Sequence, residues 1–145
     1  MFEELKKLLI KSLSLFLVFN FTFVSSLKAE AVFVDNFSVA TQETGPIAIA
    51  FNNDGTKMFV AGTVGRDVNE YSLSTGFDLS STVSFVRNLD VSSKETYIAG
   101  IAFNTTGTKM FISGVANKAH EYSLSTGFDL STASFVTSLD LVVQE

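Results

Sequence analysis

From residue 32 onward the chain alternates apolar and polar positions in short runs, and the runs come in two matching sets. Pro46-Ile47-Ala48-Ile49-Ala50-Phe51 places Ile47, Ile49 and Phe51 on one face and Ala48 and Ala50 on the other, the period of a strand. The small residues of the second face leave room for a neighbouring sheet to come close. Asn52-Asn53-Asp54-Gly55 then predicts a hairpin turn, because glycine accepts a positive φ at no steric cost. Thr56 to Ala61 reads as a returning strand, with Met58 and Val60 opposite Lys57 and Phe59, and Gly62 and Gly65 mark its end. Asn69 to Leu73 is a third strand with Tyr71 and Leu73 on a common face. A polar turn region, Ser74-Thr75-Gly76 and Asp78 to Ser81, holds Phe77 and Leu79. Val83 to Val91, with Phe85, Leu89 and Val91, is the fourth strand. Nothing after residue 32 has a helical period.

The second set repeats the first. Glu70 to Ser80 (EYSLSTGFDLS) recurs letter for letter at Glu121 to Ser131. Ile49-Ala50-Phe51-Asn52 returns as Ile101-Ala102-Phe103-Asn104, and Gly55 to Phe59 as Gly107 to Phe111. The offset is 52 residues at the front of the unit, 51 in its middle and 50 at Phe85/Phe135. A period of this size marks supersecondary units that bury their apolar faces on one another. Phe33 to Val39 also aligns with Phe85 to Val91 and with Phe135 to Leu141. The expected organisation is therefore a leader over 1–31, a fourth-strand equivalent over 32–44, and repeats over 45–95 and 96–145.

Four short antiparallel strands per unit predict an all-β protein of β-propeller blades, two complete and one represented by its last strand. Gly45 to Val60 resembles the core motif of WD40-like, YVTN-type and lactonase-like propeller repeats, and "DGTKMFV" resembles repeats of secreted bacterial proteins. The resemblance spans nearly all of 33–145 but lacks the tryptophan and the Gly-His opening of a strict WD40 repeat. It implies a scaffold, and propellers host binding, enzymatic and structural roles alike. A ring closes with roughly four to eight blades. Two blades fall short, and three expectations follow in order of preference: a fragment of a longer protein with an incomplete ring, several chains sharing one ring, and a lone two-blade sandwich. The last leaves broad apolar faces and strand edges uncovered.

Lys6, Lys7 and Lys11 precede a mostly apolar run from Ser12 to Leu27, and Ala29-Glu30-Ala31 offers the small residues of a cleavage site. This predicts a signal peptide cut after Ala31, and an exported protein that is periplasmic, extracellular or on the cell surface. The competing expectation is an uncleaved anchor. Residues 32–145 then carry 12 Asp/Glu against 6 Lys/Arg. That balance argues against nucleic acid and against anionic lipid surfaces, and stable membrane insertion after cleavage is not expected. The chain has no cysteine, which removes disulfides, thiolate metal sites, thiol nucleophiles and a lipoprotein anchor.

Candidate chemistry is thin. Asp54 beside Asn52 and Asn53 suggests a calcium loop, but the distal glutamate is missing and the second copy has Thr106, so turn chemistry is preferred. His120, the single histidine, replaces Asn69; it could act as a base with Glu121, but neighbours on a strand point to opposite faces, and a surface or interblade position is expected. Glu70/Glu121, Asp78/Asp129 and Glu43/Glu95/Glu145 recur in each unit and suggest turns or interblade hydrogen bonds before a ring of carboxylates holding a cation. Asn36-Phe37-Ser38 and Asn104-Thr105-Thr106 fit a glycosylation acceptor, and no serine sits in a Gly-x-Ser-x-Gly elbow. No catalytic, metal or cofactor-binding residue is assigned and no cofactor is expected. The expected function is a scaffold for an unidentified protein or carbohydrate ligand, with self-association through open blade faces as a further expectation. The alternatives are a lactonase-like hydrolase and a structural adhesion repeat.

Overall fold

The computed structural model describes residues 31–142. Eight strands form two four-stranded antiparallel sheets, each in sequential order. The first contains β1 (Pro46–Phe51), β2 (Lys57–Gly62), β3 (Asp67–Leu73) and β4 (Val83–Asp90). The second contains β5 (Ile98–Phe103), β6 (Lys109–Gly114), β7 (Lys118–Leu124) and β8 (Ala133–Asp140). The only helical element among the described residues is a 3-10 turn at Leu130–Thr132, just ahead of β8.

The two sheets have the same register. Phe51 faces Met58, Met58 faces Tyr71 and Tyr71 faces Phe85; Phe103, Met110, Tyr122 and Phe135 take the same partners in the second sheet. A bulge lies at Glu70/Tyr71 in one and at Glu121/Tyr122 in the other. The shrinking offset has a simple cause. The second unit is shorter between its second and third strands and again just before its fourth. Length changes there leave every ladder intact, because loops carry few of the bonds that set register.

The turn after β1 is longer than a two-residue hairpin. Asn52 organises it: its carbonyl accepts from Gly55 N–H at 3.2 Å and its side-chain oxygen from Lys57 N–H at 2.9 Å. Gly55 and Gly107 sit at φ +72° and +68°, and a Cβ on either would strike the ring of Phe77 or Phe128. Gly55→Ala is therefore expected to cost at least about 1–2 kcal/mol, from left-handed strain and collision together. A urea unfolding midpoint checks this, and an unchanged midpoint would contradict the geometry.

Each sheet has a front face, carrying Phe59 and Ala61 in the first unit, and a back face, carrying Met58 and Val60. The front of the first sheet packs on the back of the second. One buried cluster joins Phe59, Ala61, Val68 and Val91 to Ile98, Met110, Ile112, Tyr122, Leu124 and Leu130. Ala50 packs against this cluster, as the small second face of β1 suggested. Phe59 lies 4.5 Å from the Phe103 ring centre and 6.4 Å from that of Phe128. A second cluster of Met58, Val60, Tyr71 and Leu73 occupies the back of the first sheet.

Residues 32–39 differ from expectation. They form no strand, and none of the described strands pairs with them. Their packing nonetheless follows the repeat. Phe37 and Val39 cover the second cluster as Leu89 and Val91 cover the first. Val39 carbonyl accepts from Gln42 and Glu43 N–H just as Val91 carbonyl accepts from Lys94 and Glu95.

Candidate functional site

The recurring acids are largely engaged by the fold. Glu43 is buried in the turn ahead of β1; its carboxylate accepts from Gly45 N–H at 2.6 Å, Val64 N–H at 3.3 Å and Gly65 N–H at 2.9 Å. Glu95 repeats this with Thr96, Tyr97 and Ala116 N–H at 2.9, 3.1 and 3.2 Å. Each thus ties its entry turn to the loop between the second and third strands of the unit. Glu145 lies outside the described residues.

Glu70 and Glu121 show what stacking changes. Glu70 is buried, receives Lys57 Nζ at 2.8 Å and accepts from Leu130 N–H of the next unit at 3.2 Å. Lys57 also donates to Phe128 carbonyl at 2.6 Å. Arg87 reaches Asp129 at 3.3 Å, which adds a third bond across the sheets. Glu121 keeps its lysine, Lys109, at 2.7 Å but stays partly exposed, for among the described residues no sheet covers the front of the second one.

Asp78 and Asp129 each accept from the backbone and hydroxyl of the serine two residues on: Ser80 at 2.9 and 2.6 Å, Ser131 at 2.9 and 2.7 Å. Asp54 does the same with Thr56 at 3.0 and 2.6 Å. These bonds, the hydroxyl first, hold the three carboxyls below the usual aspartate range; Asp90, bonded to Ser92, is lowered likewise. A depressed folded value means that the unfolded chain binds protons first as pH falls. The contribution of these turns is complete above the ordinary carboxylate range, near pH 4, and is lost as pH drops through the lowered folded values. Denaturant midpoints taken from pH 6 to pH 2 should fall mainly below pH 4, and Asp78→Asn with Asp129→Asn should flatten that fall. Desolvation raises Tyr71 and Tyr122, so on the alkaline side stability is present below about pH 10 and lost above it.

His120 is buried on the face of β7 that it shares with its cross-strand partner Ile112, the face turned toward the joint, and Glu121 lies on the opposite face with Lys109, as neighbours on a strand must. His120 Nδ1 bonds Ser138 Oγ at 2.8 Å; Nε2 has no hydrogen-bond partner and stands 4.0 Å from Glu95 Oε2. The first unit fills the same register with amides and an acid: Asn69 and Asn88 both donate to Asp67 at 2.7 Å. Sequence reasoning missed this cluster, although the exchange of Asn69 for His120 and of Asn88 for Ser138 was visible in the aligned copies. A serine, an imidazole and a carboxylate in line are the parts of a hydrolytic relay. The 4.0 Å gap exceeds a hydrogen bond, and Glu95 is already committed to three backbone donors.

The back of the first sheet holds a cleft of about 250 Å³, lined by Phe37, Val39, Ile49, Met58, Val60 and Leu79 among others. The side chains that line it are apolar, backbone groups supply its polar surface, and Ile47 and Ile49 at its rim are about half exposed. Among the described residues, no group of three or more His, Cys, Asp or Glu could hold a metal ion. The calcium-loop alternative at Asp54 gains no ligands from this arrangement. Asn104, Thr106 and Thr108 bond one another where the first unit has Asn52, Asp54 and Thr56. No helix of the described residues is long and apolar enough to cross a membrane.

No family model matches the chain, and no curated protein does. Among solved structures it is similar to a functionally unknown protein from Desulfotomaculum acetoxidans DSM 771, at 18% identity and a TM-score of 0.48. That match covers 64% of this chain and 26% of the other, so this chain spans about a quarter of that protein's length.

Proposed function

We propose that the chain is an exported scaffold of β-propeller-type blades that binds a protein or carbohydrate ligand. The observation that carries this reading is the use made of the recurring acids. Glu43, Glu95 and Glu70 accept backbone donors inside the fold, and Asp78 and Asp129 close turns. What recurs is therefore architecture. Stacking of like sheets front to back supports the blade reading, because that operation can be repeated around an axis.

A hydrolase is the second reading, and the Ser138–His120–Glu95 set is the observation in its favour. Two measurements separate them. Hydrolysis of a simple lactone and of an acyl ester is compared for the protein, His120→Ala and Ser138→Ala, while calorimetric titration with an oligosaccharide and peptide panel looks for saturable binding. The scaffold reading expects binding and no turnover that depends on His120. Turnover abolished by His120→Ala would transfer the assignment to the hydrolase. The signal peptide proposed over 1–31 lies outside the described residues apart from Ala31. N-terminal sequencing of the secreted protein should begin just after Ala31, and an intact Met1 would refute export by cleavage.

A further inference from the structure

We propose that the open front of the second sheet docks on the back of the first sheet of another copy of this chain, in place of the Phe37 and Val39 side chains that cover it. The contact repeats, between copies, the one the two sheets make within a copy. Inside the chain the joint has an aromatic anchor and two charge-assisted bonds. Phe59 meets Phe128 at 6.4 Å between ring centres; Lys57 donates to Phe128 carbonyl at 2.6 Å; Glu70 accepts from Leu130 N–H at 3.2 Å. The outer faces carry the same parts. Phe111, Lys109 and Glu121 stand on the open front in place of Phe59, Lys57 and Glu70. Phe77 and Leu79 stand beside the back of the first sheet in place of Phe128 and Leu130.

Exposure shows that these parts are unused. Phe111 is 36% exposed where Phe59 is fully buried, and Phe77 is 61% exposed. Leu139 is 66% exposed, whereas its counterpart Leu89 packs on the joint. Lys109 and Glu121 already face each other at 2.7 Å, preset as Lys57 and Glu70 are. The matching donor and acceptor on the front, with repetition of the internal joint, name a second copy as the occupant. Two contacts are not reproduced: Thr137 replaces Arg87, so the pair with the aspartate of the next unit is lost, and Thr105 replaces Asn53, whose amide donates to the Thr105 carbonyl at 2.7 Å within the chain. The joint between copies is weaker than the joint within one.

The geometry also sets a condition. Phe37 and Val39 lie on the back of the first sheet where the internal joint has Leu89 and Val91. A docking copy brings Leu139 and Leu141 to that place, so residues 32–39 must leave as it arrives. The covering segment thus acts as a built-in competitor for the same face. Such a contact is heterologous: it joins two different patches and propagates until a ring closes or a filament grows.

The inference rests on the front-to-back stacking used in the scaffold reading, and its test can fail alone. The chain has no cysteine, so single cysteines report contacts without background. Phe77→Cys and Phe111→Cys full-length proteins are purified in mild detergent, and each is oxidised alone and in an equimolar mixture. The mixture should give the mixed disulfide dimer in roughly tenfold excess over same-site dimers, the mark of a heterologous contact. Adding Phe37→Ser and Val39→Ser to both proteins should raise the yield several-fold, since the competitor is removed; circular dichroism confirms that each variant is folded. Same-site dimers, no dimer, or disulfides formed only with other proteins would overturn the proposal and leave the ligand-binding reading untouched. A lower yield from the serine variants would overturn the exchange.

Discussion

Phe59→Ala is expected to lower the unfolding free energy by about 4 kcal/mol, and Phe111→Ala by about 1 kcal/mol or less. The two residues occupy equivalent positions in β2 and β6 and belong to an identical five-residue motif. Only their surroundings differ. Phe59 is fully buried against Phe103 and Phe128 of the second sheet, so its loss opens a cavity at the joint that holds the sheets together. Phe111 lies on the open front and already meets water. Truncating it removes less buried area and leaves no enclosed void. Urea unfolding followed by the fluorescence of the three tyrosines gives both values. Equal losses would mean that the sheets do not stack front to back.

Glu70→Ala should cost about 3 kcal/mol, against at most about 1 kcal/mol for Glu121→Ala. Removing the Glu70 carboxylate takes from Lys57 the countercharge at 2.8 Å, leaving it the Phe128 carbonyl, and deprives Leu130 N–H of its acceptor across the joint. Arg87 Nε, which is buried without a hydrogen bond and lies 3.7 Å from the same carboxylate, loses the nearer charge to that nitrogen and keeps only the Asp129 pair on its terminal nitrogen. A buried donor left without a partner costs more than a formed bond contributes. Glu121 and Lys109 make the same pair at 2.7 Å, but with side chains 23% and 53% exposed, so water replaces what the mutation removes. The same unfolding measurement applies. A loss at Glu121 as large as that at Glu70 would show that the pair, and not its burial, sets the energy.

Much of the strand pattern was legible because period two is a local property. Pro46–Phe51 and Val83–Asp90 lie where alternation placed them, and Met58 and Phe59 enter different clusters as neighbours on a strand must. Turn chemistry was equally local at Gly55, Asp78 and Asp129. The segment 32–39 shows the limit. Its composition matches β4, yet a strand exists only when a neighbour takes its hydrogen bonds, and that depends on residues far away in the chain. The Ser138–His120–Glu95 cluster was illegible for the same reason, since it joins β8, β7 and the turn before β5, and nothing local to His120 indicates Glu95.

By itself, the sequence determined the duplicated all-β unit, its strands, and the absence of any thiol chemistry, because side-chain period, turn residues and composition act at short range. Tertiary structure alone decided which of two identical residues is buried. Phe59 and Phe111, or Glu70 and Glu121, have the same neighbours along the chain and different neighbours in space. The physical reason is that a stack of like sheets has two unlike ends: each joint uses one front and one back, so two sheets make one joint and leave a front that meets water and a back covered by Phe37 and Val39 in place of a sheet.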